Sequence, residues 1–299
     1  MQDIQRTCFS SVSEISGLDH QNQNIIATSD FVVIDHVSPY YVFRDLLQSD
    51  VPYRIDDYRF MIFHKADLHI TANLTPVHLT DNTIAFIRNG GVVQFPTLPS
   101  PETQISGFVL RGEFMRYVLR TCNLSAFEGK LRLFCLHVTA EEVSCLEHVL
   151  KAITMLLCRP KPFQNTIESL FAAAITYIIS LYEKESNNGI QEKTRAQQVF
   201  GQFAELVNEH CIKHHSLSFY ADRLCLTERY LGTLVHQASG MTAKEFIDRA
   251  LTTEAQLTLK HSSLNPTQIS DELNFANPSF FSKFFKRMTG MTPLEYRNT

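Results

Sequence analysis

The last third of the chain sets the same frame twice, and that repetition constrains the fold more than any other feature. Thr227 to Gly240 spans 14 residues, and Asn277 to Gly290 also spans 14. Met-Thr follows each stretch, at Met241-Thr242 and Met291-Thr292. A short segment of helical spacing precedes each, Leu217–Leu224 in the first copy and Gln268–Leu273 in the second. In the second copy Ile269 and Leu273 stand four apart and share a helix face. Asn274–Asn277 has turn composition, and Pro278 suits the first position of a new helix, where its missing N–H is harmless. The helix that follows has Phe281, Phe284, Phe285 and Met288 on one face, with Lys283, Lys286 and Arg287 off it. Gly290 and Pro293 close it. In the first copy Cys225-Leu226 is the turn and Thr227 the N-cap, with Tyr230, Leu231, Leu234 and Val235 forming the apolar face. Helix, tight turn, helix with exposed cations is the plan of a helix-turn-helix. A plain helical hairpin with a solvated face has the same pattern. Between the copies, Lys244–Lys260 predicts a long helix that holds them rigidly apart. Two units so mounted can enter successive major-groove segments on one side of a duplex.

Charge sets a limit on that reading. The chain has 27 Lys/Arg against 31 Asp/Glu, a net charge of -4. Residues 190–299 hold 12 Lys/Arg against 11 Asp/Glu, and the remainder 15 against 20. There is no domain-wide basic footprint, so any nucleic-acid contact must come from a local surface. The 7 cysteines are odd in number, widely spaced and lack a CxxC pair. That predicts reduced, mostly buried thiols rather than disulfides or a zinc site. No stretch has the length of a membrane span, and the first residues, MQDIQRTCFS, lack the form of a signal peptide. A cytoplasmic protein with no membrane partner is expected.

The N-terminal part reads differently. Residues 1–26 are polar and irregular, and 38–47 fit either a strand or a short helix. Short apolar runs at 31–34, 58–65, 68–74, 77–79, 83–87, 92–95 and 104–110 are strand candidates, with Asp81-Asn82 and Asn89-Gly90-Gly91 supplying turns. Many short strands with close turns predict a sandwich or small barrel rather than a parallel sheet. No glycine-rich phosphate loop is present, which removes support for a nucleotide enzyme. His36, His64, His69 and His78 lack matched ligand spacings, so neither a metal nor a cofactor is expected. A short amphipathic helix is predicted at 112–120 and a further strand at 131–138. Thr139 with Glu142 is a capping-box signal opening a helix to Cys158, and a second helix follows at Asn165–Glu185. The wide apolar stripe of that second helix suits either a dimer face or packing within one subunit. Glu183–Gly189 is the predicted domain boundary, and Thr194–His210 opens the C-terminal domain as a helix.

The stretch 190–299 resembles the DNA-binding domain of the AraC family of bacterial transcription regulators. The residues that carry the resemblance are Ile269, Leu273, Phe275, Asn277, Ser279, Phe281, Ser282, Phe285, Lys286, Gly290, Thr292, Pro293, Tyr296 and Arg297. Ser270, Asn274 and Lys283 stand where that pattern has alanine, glycine and arginine. The first copy, Ala221–Gly240, matches more loosely, with Gly232 inside its second helix and His236-Gln237 near its end. Residues 1–185 resemble, more weakly, the sensory half of such regulators.

The resemblance implies an α+β chain of two domains. Residues 1–138 would form a cupin-like sensory β-barrel and 139–186 a helical hairpin for dimerisation. Residues 190–299 would form an all-α domain with two helix-turn-helix units joined by a long helix. It implies a sequence-specific transcription regulator that is not an enzyme. Its partners would be double-stranded DNA, a small-molecule effector, a second copy of itself as homodimer, and RNA polymerase. The alternative is a ligand-independent regulator whose N-terminal barrel serves assembly only. Positions early in each second helix would meet base edges: Arg229, Tyr230 and Thr233 in the first unit, and Pro278, Ser279, Ser282 and Lys283 in the second. Tyr230 fits the core equally well. Thr227, Lys286 and Arg287 fall to phosphate contacts, and Lys283 suits either class. Phe275, Phe281, Phe285 and Tyr296 are expected in the core.

Overall fold

Near-continuous burial along the longest N-terminal strands builds the layers of that part. The computed structural model describes residues 24–39, 51–121, 133–188 and 194–299. Those before 189 and those after it form two compact units. In the first, the strands in chain order are β1 (Ile25–Ala27), β2 (Phe31–Val37), β3 (Tyr53–Arg54), β4 (Tyr58–His64), β5 (Asp67–Ala72), β6 (Thr75–Thr80), β7 (Thr83–Ile87), β8 (Val92–Gln94), β9 (Gln104–Leu110) and β10 (Leu133–His137). They make a six-stranded sheet in the order β1-β2-β9-β4-β7-β10 and a four-stranded sheet in the order β3-β8-β5-β6. Among the described residues three helices accompany them: α1 (Gly112–Thr121), α2 (Ala140–Leu157) and α3 (Gln164–Asn188).

The six-stranded sheet is apolar on both faces. Phe31, Val33, Phe60, Ile62, Phe86, Phe108 and Leu110 face the helices, meeting Met115 of α1, Leu146 and Leu150 of α2, and Phe171 and Ile175 of α3. Val32, Ile34, Met61, Phe63, Ala85 and Val109 face the second sheet, meeting Leu68, Ile70, Leu79 and Val93. Gly107 lets β9 press on β4: a Cβ there would lie 2.0 Å from the Phe60 carbonyl oxygen. The stripe of α3 is thus used inside one chain, where Ile167, Phe171 and Ile175 are fully buried.

The expected cupin-like β-barrel does not form. The six-stranded sheet ends at β1 and β10 and the four-stranded sheet at β3 and β6, so among the described residues neither closes. The physical reason lies in β2, where Phe31, Val32, Val33 and Ile34 are all buried. A barrel wall offers one packed interior, whereas this sheet needs cover on both faces and takes helices on one and strands on the other. Ile25 and Ile26, expected to be irregular, belong to strand β1. Residues 40–47 and 131–132 of two predicted segments lie outside the described residues.

The second unit is all helix: α4 (Arg195–His210), α5 (Leu217–Arg223), α6 (Glu228–Ser239), α7 (Ala243–His261), α8 (Pro266–Glu272), α9 (Pro278–Thr289) and α10 (Pro293–Asn298). Residue chemistry marks the ends. Thr139 and Thr194 form capping boxes with Glu142 and Gln197. Gly240 and Gly290 end α6 and α9 in the left-handed conformation, at φ 72° and 79°. Pro293, read as a stop, instead opens α10, because Thr292 caps it and Glu295 closes a box. The central helix α7 packs against all six others. Cys145, Cys158 and Cys225 are exposed and Cys211 is buried, so the described thiols are less buried than composition implied.

Candidate nucleic-acid interface

Each of the two short helix pairs buries one face of its second helix and leaves the other open. In α6, Leu231, Leu234 and Val235 are buried, in the i, i+3, i+4 pattern of one stripe. Opposite them, Arg229, Thr233, His236 and Gln237 are exposed. In α9, Phe281 and Phe285 are fully buried, and Ser279, Lys283 and Lys286 form an exposed line at i, i+4, i+7. Burial of the two phenylalanines contributes about 1.5–3 kcal/mol each. Phe275, Phe281, Phe285 and Tyr296 form a chain of ring contacts at 5.3, 5.9 and 5.4 Å. That fixes α8, α9 and α10 as one body.

The N-termini of the two helices are built alike. The Thr227 hydroxyl accepts the Tyr230 N–H at 3.2 Å, and Asn277 Oδ1 accepts the Phe280 N–H at 3.0 Å. Free N–H groups and the positive end of the dipole favour a phosphate at such a place. The α9 sequence, PSFFSKFFKRMT, has three cations and no acid. The first unit has Arg229 beside Glu228 and is the less positive of the two.

Among the residues singled out from sequence, Thr227, Arg229, Tyr230, Thr233, Ser279, Lys283, Lys286 and Arg287 are exposed, while Pro278 and Ser282 are half-buried. Tyr230 is 47% exposed and so is not core. The Thr233 hydroxyl donates to the Arg229 carbonyl at 3.0 Å, and so turns back on its own helix. Arg287 leans toward α7, where its guanidinium lies 3.3 Å from Asp248, and it also covers the Phe284 ring. Lys244 reaches the same carboxylate at 2.6 Å. Burial lowers the pKa of the nearby His215, which favours its neutral form. Sequence reasoning missed Phe280, 59% exposed beside the cationic line. Its position next to the buried Phe281 was the available signal. It also missed the role of Arg297, which donates to the carbonyls of Leu259 and Leu264 and ties α10 to the end of α7.

In the other unit, two groups of side chains stand close enough to share an ion: His36, His64 and Glu147, and Asp67, His69 and His78. Burial, followed by the neighbouring His36, brings the His64 imidazole down to about 4.

Two helix pairs with capped, outward-facing second helices on one central helix define a helix-turn-helix protein. Residues 220–299 match the family model described as a helix-turn-helix domain. The chain is similar to the HTH-type transcriptional activator RhaR of Escherichia coli, with 29% identity over 157 residues, covering 44% of this chain and 56% of that protein. The figures are the same for RhaR of Shigella dysenteriae. The chain therefore spans little more than half the length of these relatives. Among solved structures, ToxT from Vibrio cholerae aligns over 92% of this chain and 96% of its own, with 13% identity and a TM-score of 0.37. The C-terminal domain of the response regulator yesN from Fusobacterium nucleatum aligns over 32% of this chain and 93% of its own, with 22% identity and a TM-score of 0.30. Residues 220–299 are thus a helix-turn-helix domain, and the chain is similar over part of its length to HTH-type transcriptional regulators. Among the described residues no helix is long and apolar enough to cross a membrane.

Proposed function

We propose that this chain is a non-enzymatic, sequence-specific regulator of transcription that binds double-stranded DNA through α6 and α9. The observation that carries the reading is the exposed line Ser279, Lys283, Lys286 on an acid-free helix, set over a buried phenylalanine face. In this reading Arg229, Thr233, Ser279 and Lys283 face base edges, with Tyr230, Pro278 and Ser282 beside them. Thr227 and Lys286 hold phosphates, and Arg287 does so only by partly releasing Asp248.

The test is fluorescence anisotropy at fixed salt, with DNA from upstream of the chain's own gene against scrambled DNA. Arg229→Ala and Lys283→Ala are expected to cost about 1–3 kcal/mol on the preferred sequence and to narrow its advantage. Lys286→Ala should weaken binding to all sequences alike. Wild-type protein that shows no sequence preference would sink the proposal.

The finer parts of the reading concern the first unit. The space between its two sheets, lined by Ile55, Arg59, Met61, Phe63 and Phe95, is an apolar cavity of about 30 Å³, so a small-molecule effector there requires the sheets to part. Arg59 is held there by Asp57 at 2.8 Å. Exposed Met155 and Phe163, at the end of α2 and just before α3, support a homodimer contact on that side. Sedimentation velocity of the wild type against Met155→Glu/Phe163→Glu tests it, and an unchanged sedimentation coefficient counts against the dimer.

A further inference from the structure

The register of β2 breaks between Ile34 and Val37, and His36 sits in the break at φ 49°. A bulge re-aims side chains, and left-handed backbone at a non-glycine residue persists only where surrounding structure enforces it. Here it turns His36 toward the end of β4. Its ring stacks on His64 with centroids 4.5 Å apart and planes 12° apart. Glu147 of α2 reaches the same point. Its Oε1 lies 3.3 Å from His36 Nε2 and 3.7 Å from His64 Nε2.

Both distances exceed the roughly 2.7–3.2 Å of an N–H···O hydrogen bond. The first matches the edge of a tetrahedron, since ligands about 2.0–2.1 Å from a zinc ion stand about 3.3–3.4 Å from one another, and the second has only a few tenths of an ångström to close. The groups behind these atoms fit as well. Asp35 Oδ1 lies 2.9 Å from His36 Nδ1, the carboxylate support that leaves Nε2 as the ligand nitrogen. His64 Nε2 hydrogen-bonds the buried Ser106 hydroxyl at 3.0 Å. An ion on that nitrogen takes the hydroxyl's place, while Ser106 Oγ keeps the His36 main-chain N–H, also at 3.0 Å. The side chain of His36 is 44% exposed, which leaves a path from solvent.

We propose that His36, His64 and Glu147 bind one zinc-type divalent ion through two imidazole nitrogens and a carboxylate oxygen, with a fourth position open to solvent. Two imidazoles with one carboxylate suit zinc and its late first-row neighbours rather than calcium or magnesium, which take oxygen ligands. Because the ligands come from β2, β4 and α2, the ion fastens α2 to the sheet. The second group is of another kind. Asp67 and His78 stand 2.6 Å apart, a direct hydrogen bond that leaves no room for an ion between them.

The experiment uses the full chain, stripped with chelator and titrated with Co²⁺ by visible absorption, then with Zn²⁺ by competition. One ion per chain is expected. Glu147→Gln and His36→Asn should each weaken binding by roughly tenfold or more, and His78→Asn should leave it unchanged. Circular dichroism checks each variant's fold; if one is disrupted, the other carries the test. A folded wild type that takes up neither ion overturns the proposal. So does affinity that survives in the folded Glu147 or His36 variant, or that is lost in the His78 variant.

Discussion

Cys225 and Asn274 hold equivalent places in the two turns, with φ 54° and 58°. The backbone around them is bonded alike. Leu226 N–H donates to the Ala221 carbonyl and Phe275 N–H to the Ser270 carbonyl, both at 2.9 Å. The left-handed conformation costs a side chain with a Cβ about 1–2 kcal/mol, less for asparagine. Cys225→Gly is therefore expected to stabilise the protein by about 0.5–1 kcal/mol in urea unfolding, and a loss of stability would contradict this account. Asn274→Ala loses both its tolerance of that backbone and its bond to the Lys213 carbonyl, 2.9 Å long. It should destabilise by about 1–2 kcal/mol. Where the turns fall was legible in the sequence, because turn composition is local. The exposure of Tyr230 was not. It adjoins Leu231 on the helix surface and stands four before Leu234, at the margin of the apolar face, and only packing decides which side such a residue joins.

At the level of elements, Asp248 matters most in the C-terminal unit. It is 8% exposed on α7 and holds Lys244 of its own helix and Arg287 of α9. Both cations are largely solvated, so each pair is worth little by itself. Asp248→Ala is therefore expected to cost no more than about 1 kcal/mol, since both cations it leaves behind can turn to water. A double-mutant cycle with Arg287→Ala checks the assignment, and a coupling energy near zero would remove the latch between α7 and α9. Helix ends were readable from sequence for a plain reason: Thr139 with Glu142, and Pro278 after Asn277, act within one turn of chain. Sheet closure was not readable. Strand composition reports which residues are buried, and it leaves open which edges meet. The number of short strands left a sandwich and a barrel both open, and the resemblance chose the barrel, although the run Phe31–Ile34 already demanded cover on both faces. The grouping of His36, His64 and Glu147 was hidden for a related reason, since β2, β4 and α2 come together only through the tertiary fold.

For the protein as a whole, the net charge of -4 means that the proposed DNA binding would have to rest on local geometry. The 19 residues of α7 make a helix about 28 Å long. Successive major-groove segments on one side of straight DNA are about 34 Å apart. If α6 and α9 both engage, the duplex is expected to curve toward the protein. Circularly permuted fragments in a gel-shift assay measure this, and mobility independent of site position would mean that one helix alone is seated. The two turns are also tied directly, apart from α7. Asn274 bonds the Lys213 carbonyl in the α4–α5 connection, and the neighbouring His215 ring lies 5.2 Å from that of Phe275. Such a double attachment resists torsion. In the proposed DNA-binding reading, α6 and α9 cannot swivel independently to follow a target whose halves are out of phase, so an operator lengthened by a single base pair would present its second half at an angle the protein has no inexpensive way to match.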